Sequence, residues 1–118
     1  MSQYPRNIGK IGEHKASIYL KQNGFSIIKK NFRSYGGEID IIAKKAKTVY
    51  FIEVKTRTNI DKGYPYESVN RQKIFHMKKA SSFFLLKSPY KDYKLKLGVI
   101  SIILVGVREI IKFYDDLM

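Results

Sequence analysis

The chain has 118 residues, 44% hydrophobic and 14% aromatic, which excludes a disordered polymer and sets an expectation of a single domain over residues 1–118 with a modest core. It has no cysteine and two histidines, so a disulfide scaffold, a cysteine nucleophile and thiolate metal sites are excluded and a multi-histidine zinc centre is disfavoured. Lys and Arg number 23 against 10 Asp and Glu, a formal charge of +13 that favours anionic partners such as nucleic acid or an acidic membrane surface.

The start, Met-Ser-Gln-Tyr-Pro-Arg, lacks the apolar run of a secretory signal. Residues 8–23 predict a helix with Gly12, Glu13, Ala16, Leu20 and Asn23 on one side and Lys10, Lys15 and Lys21 toward water. Gly24 suits the left-handed position just past a helix end. Residues 25–28 read as a short strand, and Gly36-Gly37 punctuates the chain before a second strand over 38–43. A polar turn over 44–47 leads to a third strand over 48–56, and so short a turn implies antiparallel pairing of the two. Residues 57–67 read as a mobile loop, with Ser68 as N-cap of a helix reaching about Leu86 and turning Ile74, Met77, Ser81 and Phe84 inward. A strand over 94–105, a turn at Gly106-Val107 and a last strand over 109–114 complete the chain. The longest apolar stretch, 99–107, is interrupted by Ser101 and Gly106 and is about half the ~20 residues that span a bilayer. A cytosolic protein without a membrane partner is expected. The order α-β-β-β-α-β-β predicts an α/β sandwich around a mixed sheet.

The acids carry more information than the bases. Lysines outnumber arginines 18 to 5, and an AT-rich coding bias raises lysine, but it does not deplete Asp and Glu in the same way. Residues 1–60 hold 12 basic side chains and four acids: Glu13, Glu38, Asp40 and Glu53. Side chains two apart on a strand share a face, so Glu38 goes with Asp40, and Glu53 with Lys55, while Ile39, Ile41 and Ala43 take the opposite face of their strand. Pairing across the 44–47 turn brings Asp40 near Glu53. A charge buried in a sheet is costly unless paired or metal-bound. Two carboxylates, a backbone carbonyl such as that of Val54, and water suit Mg²⁺, with Mn²⁺ as a substitute. Lys55 could then hold the attacking water and stabilise charge on a phosphate, and Glu13 borders the apolar side of its helix facing the same place. From spacing alone, plain ion pairing of Glu53 with Lys55, and of Glu38 and Asp40 with surplus lysines, is an equal alternative.

Gly37-Glu38-Ile39-Asp40-Ile41-Ile42-Ala43 followed by Phe51-Ile52-Glu53-Val54-Lys55-Thr56-Arg57 resembles the signature of the YraN family of small bacterial proteins. Gly12-Glu13, Ala16, Tyr19-Leu20 and Asn31-Phe32-Arg33 upstream, and Gly63-Tyr64-Pro65, Val69, Lys73 and Ala80 downstream, fit the same pattern. Two positions depart from it: Ile74 follows Lys73 where relatives often carry Gln, and Gly98 stands where a late strand often carries Asp. The resemblance implies a restriction-endonuclease-like α/β/α sandwich with a central mixed sheet, related to the archaeal Holliday-junction resolvases. It also implies that Glu13, Asp40, Glu53 and Lys55 form a metal-dependent catalytic site.

The expected function is therefore a Mg²⁺-dependent endonuclease acting on DNA, including branched or structured DNA. The alternative is a non-catalytic nucleic-acid-binding module on a nuclease-like fold. Arg33, Arg57, Arg71 and Lys73 are candidates for phosphate contacts, which position a duplex without reading it. Glu38 is either an accessory ligand or a partner for a base such as Arg57, the second use being favoured. His14 and His76 read as solvent-facing. Tyr64-Pro65-Tyr66 either stacks on an unpaired base or anchors its loop. Phe83-Phe84-Leu85-Leu86 reads as core with some share of a dimer surface. Junction-cutting relatives act on paired strands, so a homodimer is consistent with the resemblance.

Overall fold

A run of Val, Ile and Phe between polar turns builds a strand buried on both faces, and the stretch beginning at Thr48 is such a run. A computed structural model describes residues 7–61 and 63–117; the reading of residues 1–6 as lacking a signal falls outside them, as do Lys62 of the long loop and Met118. The elements are α1 (Ile8–Gln22), β1 (Ser26–Ser34), β2 (Gly37–Lys45), β3 (Thr48–Arg57), a short 3-10 turn (Pro65–Ser68), α2 (Arg71–Leu86), β4 (Lys94–Val105) and β5 (Arg108–Tyr114). The strands lie in the order β1-β2-β3-β4-β5. β1–β2, β2–β3 and β4–β5 pair antiparallel, while β3–β4 is parallel. Only the parallel pair needs a long crossover, and α2 supplies it.

The helices cover opposite faces. Ala16 and Leu20 of α1 pack on Ile41, Ala43, Ile52, Val54, Ile100, Ile102 and Leu104. Met77 and Ala80 of α2 pack on Ile39, Ile42, Val49, Phe51 and Leu97. The expected α/β sandwich around a mixed sheet is what the chain forms. Among the described residues no helix is long and apolar enough to cross a membrane.

Helix α1 ends as its sequence predicts, with Gly24 at φ +86°. Gly12 has a packing reason: a Cβ there would meet Thr56 Oγ1 of β3 at 1.8 Å, so only glycine lets α1 lie this close to the sheet. Lys15 does not simply face water; its Nζ sits 2.6 Å from Glu109 Oε2 and ties α1 to β5.

Several expectations are corrected. β1 runs on to Ser34 rather than stopping near Ile28, because β2 pairs with it as far as Ser34↔Gly37. The N-cap of α2 is Asn70, whose side chain accepts from the Lys73 amide at 2.9 Å. Ser68 instead closes the 3-10 turn, donating to the Pro65 carbonyl at 2.8 Å. In the α2 segment Phe84 and Leu85 pack against the core, but Phe83 and Leu86 are exposed. His76 is half-buried rather than free, its backbone carbonyl lying where a Cβ on Gly37 would go. Gly98, where relatives often carry Asp, has no room for a side chain, since a Cβ would meet Phe113 Cε1 and the Tyr114 carbonyl at 2.9 Å.

Strict alternation fails at one residue of β2. Ile41 and Ala43 face α1 as expected, but Ile39 joins Ile42 in the α2-side core. The break falls at Asp40, whose β1 counterpart Asn31 is left-handed (φ 53°) and drops out of an otherwise constant register between Lys30↔Ile41 and Phe32↔Ile39.

Candidate active site at a strand fork

The β2–β3 ladder runs from Lys45↔Thr48 to Ile41↔Ile52 and stops. One pair further on Asp40 would oppose Glu53; the strands part there instead. Parting frees backbone groups on β3 that must find partners. Asp40 supplies one: its Oδ2 accepts the Val54 amide at 2.8 Å in a buried setting. In an extended strand a residue's N–H and C=O leave by the same edge, so the Val54 carbonyl also faces the fork.

Asp40 and Glu53 are 8% and 5% exposed, unusual for carboxylates and costly without compensation. Compensation for Glu53 comes from two lysines of different elements. Lys55 Nζ lies 3.4 Å from Oε1 and Lys73 Nζ lies 3.2 Å from Oε2. The Lys73 contact is one of charge only, because among the described residues the fully buried Oε2 has no hydrogen-bond partner. Among the described residues Asp40 makes no ion pair of its own, although the charge of Lys73 acts on it to a lesser degree. Burial, and next the charge of Glu53, push its pKa up from 3.8 to about 7, against the lowering effect of the Val54 amide.

Glu13 reaches the same region from α1. Burial raises its pKa, the Asn31 side chain lowers it, and the charges of Glu38 and Glu53 raise it again. An open cleft of about 640 Å³ leads to it, lined by Lys10, Glu13, His14, Lys30, Asn31, Arg33 and Glu38.

The fold thus brings together Glu13, Asp40, Glu53, Lys55 and Lys73, with the Val54 carbonyl beside them. Lys73, read from sequence as a phosphate contact, is found on Glu53 instead. Glu38 pairs with Arg33, directly opposite on β1, at 3.7 Å, not with Arg57 as expected. Arg57 turns to its own strand, donating to the Thr56 carbonyl at 3.0 Å. Arg71 is exposed at the start of α2, on the approach to Lys73. Asn31 had no assigned role in the sequence. Asn31-Phe32-Arg33 fits the family pattern, but the left-handed backbone, which Asn tolerates better than most residues, is not revealed by one sequence.

Buried Asp40 and Glu53 at the fork, with an unpartnered buried oxygen and a backbone carbonyl nearby, form an oxygen-rich donor set that fits a hard divalent cation. Among the described residues, no group of three acid, His or Cys side chains closes to metal-binding distance. The fit is therefore to an ion held by two carboxylates and completed by carbonyl, water or phosphate oxygens.

A basic α/β sandwich with a carboxylate–lysine cluster at a fork between central strands is the class of protein that fold and site define. Residues 12–105 match the model of the family described as "Uncharacterised protein family UPF0102". A UPF0102 protein from Caldicellulosiruptor bescii is 40% identical over 108 residues, covering 91% of each chain. Another, from Chlorobium phaeobacteroides, is 40% identical over 116 residues, 98% of this chain and 91% of its own. A third, from Persephonella marina, is 38% identical over 107 residues, covering 91% and 92%. The chain belongs to the UPF0102 family.

Proposed function

We propose that the protein is a metal-dependent endonuclease that hydrolyses phosphodiester bonds in DNA, within the YraN group and the wider restriction-endonuclease-like superfamily. The observation that carries this reading is the convergence of Asp40 and Glu53, both buried, with Lys55 and Lys73 at one fork of a strongly basic molecule. Asp40, Glu53 and the Val54 carbonyl would hold Mg²⁺ or Mn²⁺. That ion, when bound, supplies Lewis-acid polarisation of the phosphate and lowers the pKa of a bound water.

The rest of the chemistry belongs to the chain. Lys55 shares a face with Glu53 and carries a donor to orient the attacking water and meet charge developing on the phosphate. Lys73 balances the charge of Glu53 from the α2 side before substrate arrives. Glu13 stands at the mouth of the cleft, where its raised pKa suits proton exchange with water. Arg71, exposed, and Arg33, exposed beyond its pairing with Glu38, would position phosphates on either side.

Purified protein incubated with branched, flapped and plain duplex DNA in Mg²⁺ or Mn²⁺ should cleave at least one of them. Asp40→Ala and Lys55→Ala should each abolish cleavage while retaining the fold; cleavage surviving in both overturns the site. One observation favours a second reading, a non-catalytic nucleic-acid-binding module: the described residues contain no three-ligand metal cluster. Calorimetry separates the two, since the module binds no Mn²⁺ with or without DNA.

A further inference from the structure

The sheet register places a second feature on the face that carries Glu53 and Lys55. Across the parallel pair, Glu53 lies beside Val99 and Lys55 beside Ser101. Across β4–β5, Val99 lies beside Tyr114 and Ser101 beside Lys112. Paired neighbours share a face, so Lys55, Ser101 and Lys112 form one row across three strands. At about 4.8 Å per strand the row spans about 10 Å, no more than about three nucleotides at the ~3.4 Å rise of a stacked strand.

Helix α2 covers this face over Phe51 and Leu97 but leaves the far ends of β4 and β5 to the 3-10 turn. There Tyr64, Tyr66 and Tyr114 wall a pocket of about 340 Å³ whose floor includes Ser101, Ile103 and Lys112. Tyr64 and Tyr66 remain 47% and 41% exposed. Their rings lie nearly parallel, 6.0 Å apart and 17° off, and Tyr66 rests on Tyr114 at 5.1 Å. Buried Pro65 and the bond from the Glu67 amide to the Tyr64 carbonyl hold the turn in shape. Two half-exposed tyrosines therefore stand preformed at the end of a row, Lys55–Ser101–Lys112, that begins in the candidate active site and carries a lysine at each end. Loop anchoring accounts for Tyr66 and Pro65; it leaves the exposure of Tyr64 beside the pocket and the placement of Lys112 in its floor unexplained.

We infer that this pocket receives one unstacked nucleobase of a single-stranded stretch, with Lys112 on its phosphate, and so directs the enzyme to flapped or otherwise unpaired DNA. A tyrosine face attracts any base by stacking, whereas a base inside an intact duplex has no face to offer. The position of the cut relative to this base rests on the endonuclease reading; the base binding does not.

The test is fluorescence anisotropy in EDTA, where hydrolysis is absent, with a labelled duplex bearing a short single-stranded flap, the same flap made abasic, and the plain duplex. Wild type should bind the base-containing flap most tightly and lose on the order of tenfold when the flap is abasic. Tyr64→Ala should show that loss on the base-containing flap and none further on the abasic one; Tyr64→Phe should bind like wild type. Lys112→Gln should weaken both flaps equally. Equal wild-type affinity for base-containing and abasic flaps overturns the pocket, and this comparison stands even if a variant fails to fold. Base preference without cleavage in Mn²⁺ overturns only the endonuclease reading. Cleavage without base preference overturns only the pocket.

Discussion

Asp40 holds its proton in the folded chain up to about pH 7, whereas an unfolded aspartate releases it near 3.8. Between those values the folded state binds more protons, so this group's contribution to stability is complete below about pH 4 and falls as pH rises to about 7. The slope is at most about 1.4 kcal/mol per pH unit. Asp40→Asn should flatten this part of the metal-free stability curve, read as the difference between two urea-denaturation series. A bound cation requires the ionised carboxylate, so Mn²⁺ should raise the melting temperature of wild type much more at pH 8 than at pH 5.5. No pH dependence of that increment would remove Asp40 from the proposed metal site. Glu53→Gln takes the counter-charge from both lysines and should lower Mn²⁺ affinity at least tenfold by calorimetry.

Helix α1 reaches the sheet only because Gly12 has no side chain. Gly12→Ala drives a methyl into Thr56 and should cost about 1–3 kcal/mol in denaturant unfolding. Thr56→Ala alone should be close to neutral, since the buried Thr56 hydroxyl has no hydrogen-bond partner among the described residues, and it should partly rescue Gly12→Ala. Asn70→Ala should cost about 1 kcal/mol by removing the cap of α2. These elements also mark how far sequence reasoning reached. Apolar periodicity placed both helices and all five strands in order, because burial sets that pattern. The Glu53-Val54-Lys55 alternation was legible because β3 is regular on both sides. That Asp40 is a charge inside the sheet was legible from the strand pattern, but its surroundings were not. The fork, the left-handed Asn31 and the switch of Ile39 to the other face arise from pairing between strands, which leaves no period in either one alone. Lys73 meets Glu53 only through the packing of α2, and Asn70 displaced Ser68 as cap because the 3-10 turn claims the serine.

On the scale of the whole molecule a net charge of +13 accompanies a cluster of buried carboxylates, a combination that attracts a polyanion overall and repels it locally until a cation intervenes. Duplex binding should weaken with salt by about 0.9 in log K per phosphate neutralised. Mn²⁺ should strengthen binding at fixed ionic strength, and Asp40→Ala should abolish that gain. The parallel pairing of β3 with β4 has a further consequence for how the molecule assembles. β1, β2 and β3 are consecutive and joined by tight turns, so their contacts close short loops, while β4 must wait for the whole α2 crossover. Asp40 and Glu53 belong to the early meander, and Lys73 and the tyrosine pocket belong to the late half. During refolding, pulsed amide exchange should protect Val54 before Ser101. The acids would then meet before their lysine from α2 arrives, making the nascent hairpin the stage at which the chain is least stable at neutral pH.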